Sequence, residues 1–122
     1  VEQDSSQRFF IQSKWYVNGW LMLENVAIGT RKHQFDGALC CEVLEHLTAE
    51  DGHTVLCDIK LVMKPGGMLC VTVPRHDGTR ADYPGHIRYF NADALEYTLK
   101  VAGFSVMPHT IVGPWLMVVA YA

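Results

Sequence analysis

The sequence predicts an α/β fold built on a parallel sheet, and three observations carry that reading. Two short apolar runs, Gly37 to Cys41 and Met68 to Val73, lack the polar alternation of a half-exposed strand. Continuous runs of this kind suit strands buried on both faces of a parallel sheet. Between them, Val55, Leu56, Ile59, Val62 and Met63 recur on one face of a helix. Strand, helix and strand in that order make a βαβ unit. In an open parallel sheet ligands bind beyond the carboxyl ends of the strands. Those ends carry Cys41-Glu42 and Pro74-Arg75-His76.

Each element follows from local chemistry. Residues 1–7 are polar and expected to fray. Trp15 to Val17 and Trp20 to Leu23 flank Asn18-Gly19, a two-residue hairpin signal, because both turn residues must take positive φ. An amphipathic helix through the same residues is the competing reading, and Gly19 would cost it about 1 kcal/mol relative to Ala. Val26 to Gly29 reads as a short strand or a turn, and residues 31–34 as a polar loop. Thr48 is the expected N-cap of the central helix, with Glu50 and Asp51 in its first turn. Pro65-Gly66 is expected to end that helix in a type II turn. Residues 75–90 form a long polar loop, and loops of that length in a compact domain are usually functional. Asn91 should cap the next helix, with Gly103 as its C′ residue. Phe104 to Met107 and Trp115 to Tyr121 read as the last two strands, paired as a hairpin.

Composition narrows the class. The 122 residues suit one domain, 49% apolar and 19% charged, hence globular rather than disordered. A net charge of -3 argues against a dedicated nucleic-acid binder. No apolar run approaches the roughly 18 residues that cross a bilayer, and no signal-peptide pattern is seen. Cys40, Cys41, Cys57 and Cys70 form no paired C-x-x-C motifs. They are read as buried free thiols in a reducing, cytoplasmic compartment. Trp15, Trp20 and Trp115 are read as core rather than as ligand platforms. His33, His53 and His109 have no partner that the sequence identifies.

One set of motifs carries a resemblance. Phe35-Asp36, Glu42-Val43-Leu44-Glu45-His46, Lys64-Pro65-Gly66-Gly67, Val71-Thr72-Val73-Pro74, His86-Ile87-Arg88-Tyr89-Phe90 and Val101-Ala102-Gly103-Phe104 follow one another in order. From about residue 33 to the end, the chain resembles the C-terminal half of class I S-adenosylmethionine-dependent methyltransferases. The resemblance implies a truncated Rossmann-like sheet with helices on its faces, in a single domain 1–122. Residues 1–34 would add N-terminal strands outside the family pattern. It implies S-adenosylmethionine as cofactor, faced by Cys41, Glu42 and Leu44. It implies catalytic roles for Glu42, His46 and His86, and a small-molecule substrate met by Arg75, His76, Arg88 and Tyr89. Glu42 reads equally as a solvated carboxylate at a helix start, favoured by the dipole. Glu45 and His46 read also as structural hydrogen-bonding groups.

The resemblance also raises a metal question. Small-RNA 2′-O-methyltransferases hold a divalent cation on a similar E-x-x-E-H element plus a later His, and Glu42, Glu45, His46 and His86 match those ligand types. The same element occurs in small-molecule methyltransferases without metal, so none is assigned.

The chain departs from the family before Phe35, where Gly19 and Gly29 stand singly and no G-x-G cofactor loop occurs. Glu24 ends an apolar run, Leu21 to Leu23, but lies too close to Asp36 for the helix and strand that normally intervene. Two function classes follow. The first is a methyltransferase whose cofactor loop comes from elsewhere. The second is an inactive methyltransferase-like module for association, or a homo-oligomeric structural protein. In either case the strand Gly37 to Cys41 needs a neighbour on its open edge. The N-terminal strands, a second copy or a partner chain is expected to cover it.

Overall fold

The computed structural model describes residues 9–13, 33, 35–75 and 86–122. Its elements are β1 (Phe9–Ser13), β2 (Phe35–Cys41), a 3-10 turn (Leu44–His46), α1 (Ala49–Val62), β3 (Met63–Pro74), α2 (Ala92–Val101), β4 (Ser105–Val106), β5 (Thr110–Val112) and β6 (Trp115–Tyr121). The strands form one sheet in the order β1-β2-β3-β6-β4, with β5 paired to β6.

The βαβ unit is present as read. β2 and β3 pair in parallel, with Ala38 opposite Leu69 and Cys41 opposite Thr72. β1 runs parallel to β2 on its other side, Phe9 opposite Gly37. The edge that called for a neighbour is therefore covered by this chain's own N-terminal strand. Beyond β3 the direction reverses, because β6 pairs antiparallel to it, Thr72 opposite Met117 and Pro74 opposite Trp115. The terminal hairpin is a three-strand affair. β6 pairs with β4 as expected and also with β5 through a turn at Gly113-Pro114. Asn18-Gly19, the 15–23 hairpin or helix and the strand at Val26 to Gly29 lie outside the described residues.

Both helices obey their capping chemistry. Thr48 Oγ1 accepts from the Asp51 amide at 3.1 Å, and Asn91 Oδ1 from the Ala94 amide at 2.8 Å. α2 closes with the Gly103 amide bonded to Lys100 O and the Phe104 amide to Leu99 O. That double bond is a Schellman motif, which needs the left-handed φ of +95° that Gly103 supplies. α1, in contrast, ends earlier than expected. Its last residue is Val62, and Met63 already opens β3. Pro65-Gly66-Gly67 lies inside β3 as an irregularity where the register with β2 shifts. The strand wins because Ala122 O accepts from the Gly66 amide and the Ala122 amide donates to Gly67 O, so the glycines are sheet-bonded. A side chain on Gly67 would stand 2.9 Å from Asp36 O, which leaves no room for one.

The core lies between the sheet and the two helices, which also touch each other and so share a face. Ala38, Cys40, Leu69, Val71, Val73, Leu116, Val118 and Ala120 meet Leu56, Ile59, Val62, Leu95 and Leu99 there. The alternate residues Leu39, Met68, Cys70, Thr72, Met117 and Tyr121 are exposed or half-buried. Burial on both faces was expected; burial on one face is found. Among the described residues both helices pack on a single side, so the apolar runs reflect a second face whose covering does not come from them. The cysteines divide accordingly. Cys40 is buried, Cys41 and Cys70 are half-buried, and Cys57 is exposed on α1, against expectation. Burial pushes the Cys40 thiol far above its ordinary pKa.

Leu56 is fully buried, whereas Tyr97 on α2 is exposed. In urea denaturation, Leu56→Ala should lower stability by about 2–5 kcal/mol and Tyr97→Ala by less than about 0.5 kcal/mol.

Candidate functional site

The site grows from the carboxyl ends of β2 and β3. Glu42 leaves β2 with φ +58°, a left-handed conformation that a side chain adopts only at a cost. Three hydrogen bonds hold it there. Its amide donates to Thr72 O at 3.0 Å. Thr72 Oγ1 donates to Glu42 Oε2 at 3.3 Å, and Trp115 Nε1 donates to Oε1 at 2.8 Å. Glu42 is therefore no helix-start carboxylate. Its charge is anchored to β3 and β6, on the sheet face opposite the described helices.

Glu42, Thr72, Val112, Trp115 and Met117 line a cavity of about 220 Å³ there. Trp115 is 42% exposed, which corrects its reading as core. Neither Trp115 nor Thr72 was legible as a site residue. Only the antiparallel β3–β6 register brings the indole to Glu42, and nothing near Trp115 in the sequence signals that pairing.

A second cluster sits on the 3-10 turn. Glu45 is 2% exposed, the only buried charged residue among those described. His46 Nε2 lies 3.7 Å and His86 Nε2 4.0 Å from its Oε2. The two imidazoles meet edge to face at 4.7 Å. Glu45 O accepts from the amides of Ile87 and Arg88, at 2.8 and 3.1 Å, and this fastens the end of the long loop to the turn. One ligand atom from each of Glu45, His46 and His86 falls within 4.8 Å of the others. A divalent cation could draw on that donor set. Glu42, the fourth residue of the sequence-level set, is engaged with Trp115 and Thr72 instead.

The remaining expected residues are placed less uniformly. Cys41 is half-buried at the end of β2 and Leu44 is fully buried in the core. Burial, with the Glu42 charge beside it, raises the Cys41 thiol pKa against a lowering hydrogen bond with Thr72. Arg75 bonds through its amide to Pro114 O at 2.8 Å and bridges to Phe90, so it closes the rim. Arg88 stacks its guanidinium 4.5 Å from the Phe90 ring centroid. Burial lowers its pKa, though not enough to discharge a guanidinium. Tyr89 is exposed, and His76 lies outside the described residues. The structure thus yields two clusters, one on Glu42 and one on Glu45.

A larger cavity, about 450 Å³, lies at the other end of the sheet near Met63 and Ala122. It contains none of these residues. His33 is there, its Nδ1 2.9 Å from Met63 O. His53 lies 3.4 Å from the Cys57 sulfur on α1, and His109 3.7 Å from Glu96.

The strand order decides the fold: parallel strands meeting an antiparallel β6, with the last βα crossover on one face. The chain shares the fold of the class I S-adenosylmethionine-dependent methyltransferases. A family described as "Methyltransferase domain" matches residues 16–71. Solved structures share the fold. One is the 1,6-didemethyltoxoflavin-N1-methyltransferase of Burkholderia thailandensis, 21% identical with a TM-score of 0.69 over 91% of this chain and 60% of that one. Another is a methyltransferase of Thermotoga maritima, 16% identical with a TM-score of 0.59 over 75% and 57%. A third is a complex of the Haloferax volcanii Trm112 methyltransferase activator with a methyltransferase, 13% identical with a TM-score of 0.64 over 75% and 55%. The chain therefore spans little more than half the length of these methyltransferases. No curated protein matches it.

One contact in this methyltransferase fold gives a direct test of the rim. Gly52 in α1 faces Arg88, whose Nη1 would stand 3.3 Å from a new Cβ. An ordinary Gly→Ala change inside a helix stabilises by about 1 kcal/mol. Here Gly52→Ala should gain clearly less in urea melts, and the full gain should return in the Arg88→Ala background.

Proposed function

We propose that this chain is the acceptor-side half of an S-adenosylmethionine-dependent methyltransferase acting on a small molecule. The observation that carries the reading is the anchored Glu42, a strained charged residue at the carboxyl rim of adjacent parallel strands. Strain of this kind persists only where surrounding contacts impose it, and it clusters at functional sites. The rim is also where open parallel sheets bind ligands.

S-adenosylmethionine, when bound, supplies an electrophilic methyl group on a sulfonium. Cys41 and Glu42 are the residues of this chain that would face it, with Leu44 supporting them from the core. The fit is partial. The chain offers one wall of a cofactor site but no G-x-G loop before Phe35, so a partner chain, a second copy or further sequence completes the cradle. A methyltransferase complexed with an activator protein is among the similar folds.

The chain's own residues then act on the acceptor. Glu42, fixed by Trp115 and Thr72, orients it without reorganising, which is where positioning lowers a barrier. His46, 20% exposed beside the buried Glu45 carboxylate, takes a proton from the acceptor. His86 shares that carboxylate, and Arg75, His76, Arg88 and Tyr89 border the acceptor. The free thiols fit a reducing, cytoplasmic setting. Among the described residues no helix is long and apolar enough to cross a membrane.

A second reading rests on the missing glycine loop: an inactive methyltransferase-like module whose open apolar face mediates association. Calorimetry with S-adenosylhomocysteine separates the two. The enzyme reading predicts a Kd on the order of micromolar, for this chain or for its complex. No heat at millimolar ligand would leave the module.

A further inference from the structure

The cavity over Glu42 carries a second inference, about what the site accepts. Its five lining residues are two aliphatic or thioether side chains (Val112 and Met117), one hydroxyl, one indole and one carboxylate. Among the described residues no cationic side chain lines it. The carboxylate has about four acceptor positions, and two are taken, by Trp115 Nε1 and Thr72 Oγ1. Both bonds come from neutral donors, so they orient the charge, and among the described residues no cation compensates it at the cavity. Around it the wall is apolar and aromatic.

We infer that this cavity binds a small organic cation, an ammonium group carrying an apolar body. The ammonium meets the free lone pairs of Glu42, in a charge-assisted hydrogen bond stronger than a neutral one. The indole of Trp115, held edge-on to the same carboxylate by its N–H, adds an aromatic surface that attracts cations. Val112 and Met117 take the apolar body. At about 220 Å³ the cavity falls below the range of roughly 300–1,000 Å³ typical of drug-sized ligands, so the occupant is small. An anion is disfavoured by the same uncompensated charge. As the acceptor subsite of a methyl transfer this assignment rests on the proposed function. As a binding site it does not.

The test is an NMR titration of the full chain that follows the Trp115 indole N–H signal, assigned by its loss in Trp115→Phe. Benzylammonium is the probe, with benzyl alcohol and benzoate as neutral and anionic controls of the same shape. The expected result is a saturable shift of that signal with benzylammonium, at least about tenfold tighter than with either control, a difference of about 1.4 kcal/mol. Glu42→Gln should erase that preference while the dispersion of the β6 amides shows the sheet intact. Should Glu42→Gln unfold the chain, Thr72→Val, which removes one orienting bond and keeps the charge, should weaken benzylammonium and leave it preferred. Equal binding of the three probes, or a preference that survives Glu42→Gln in a folded chain, overturns the assignment. Ammonium binding without S-adenosylhomocysteine binding, by the chain and by its complex alike, would sink the methyl-transfer reading and leave the cation site standing.

Discussion

The pairing of β2 with β3 is the constraint on which the rest depends. It is a parallel ladder, so it cannot be closed by a turn and demands α1 as its crossover. The crossover fixes which face becomes the core. The same ladder runs one bond past the end of β2, from the Glu42 amide to Thr72 O. That last bond holds Glu42 in a conformation it would not otherwise keep, and it places the carboxylate beside the hydroxyl of the residue it pairs with. Architecture and candidate chemistry therefore share one hydrogen-bond ladder.

A second constraint locks the rim from the helix side. The buried Glu45 takes two backbone amides on its carbonyl and two imidazoles around its carboxylate. A buried carboxylate without such neighbours would cost several kcal/mol, so the turn and the loop end at His86 hold one another in place. The two clusters divide the work. One presents a charge to the face that the described helices leave uncovered, and the other secures the chain from His86 to Arg88.

Much of this was legible in the sequence. The strands β2 and β6, both N-caps and the C′ glycine follow from side chains that act on their own neighbours, and these came out close to where they were read. Pro65-Gly66 keeps the turn conformation its residues promise, Gly66 at φ +80°, but Ala122, far along the chain, also draws those glycines into the sheet. Continuous apolar runs promised two buried faces, yet they report only that each face is apolar, not what covers it. Trp115 was opaque for a related reason. Its neighbours make it a good strand residue, and its role depends on a register set by β3. Glu42, Glu45, His46 and His86 were singled out together by resemblance, but the sequence could not tell that Glu42 belongs with Trp115 and the other three with each other.

The account stands or falls on the direction and register of β2 and β3. Backbone NOE spectroscopy on the labelled chain reads both directly. Parallel strands in this register should give amide-to-Hα contacts linking Ala38 with the neighbourhood of Leu69 and Cys41 with that of Thr72, without close Hα–Hα pairs between the strands. Strong Hα–Hα contacts across β2 and β3, the signature of antiparallel strands, would contradict the fold, the placement of Glu42 and every role assigned to the rim.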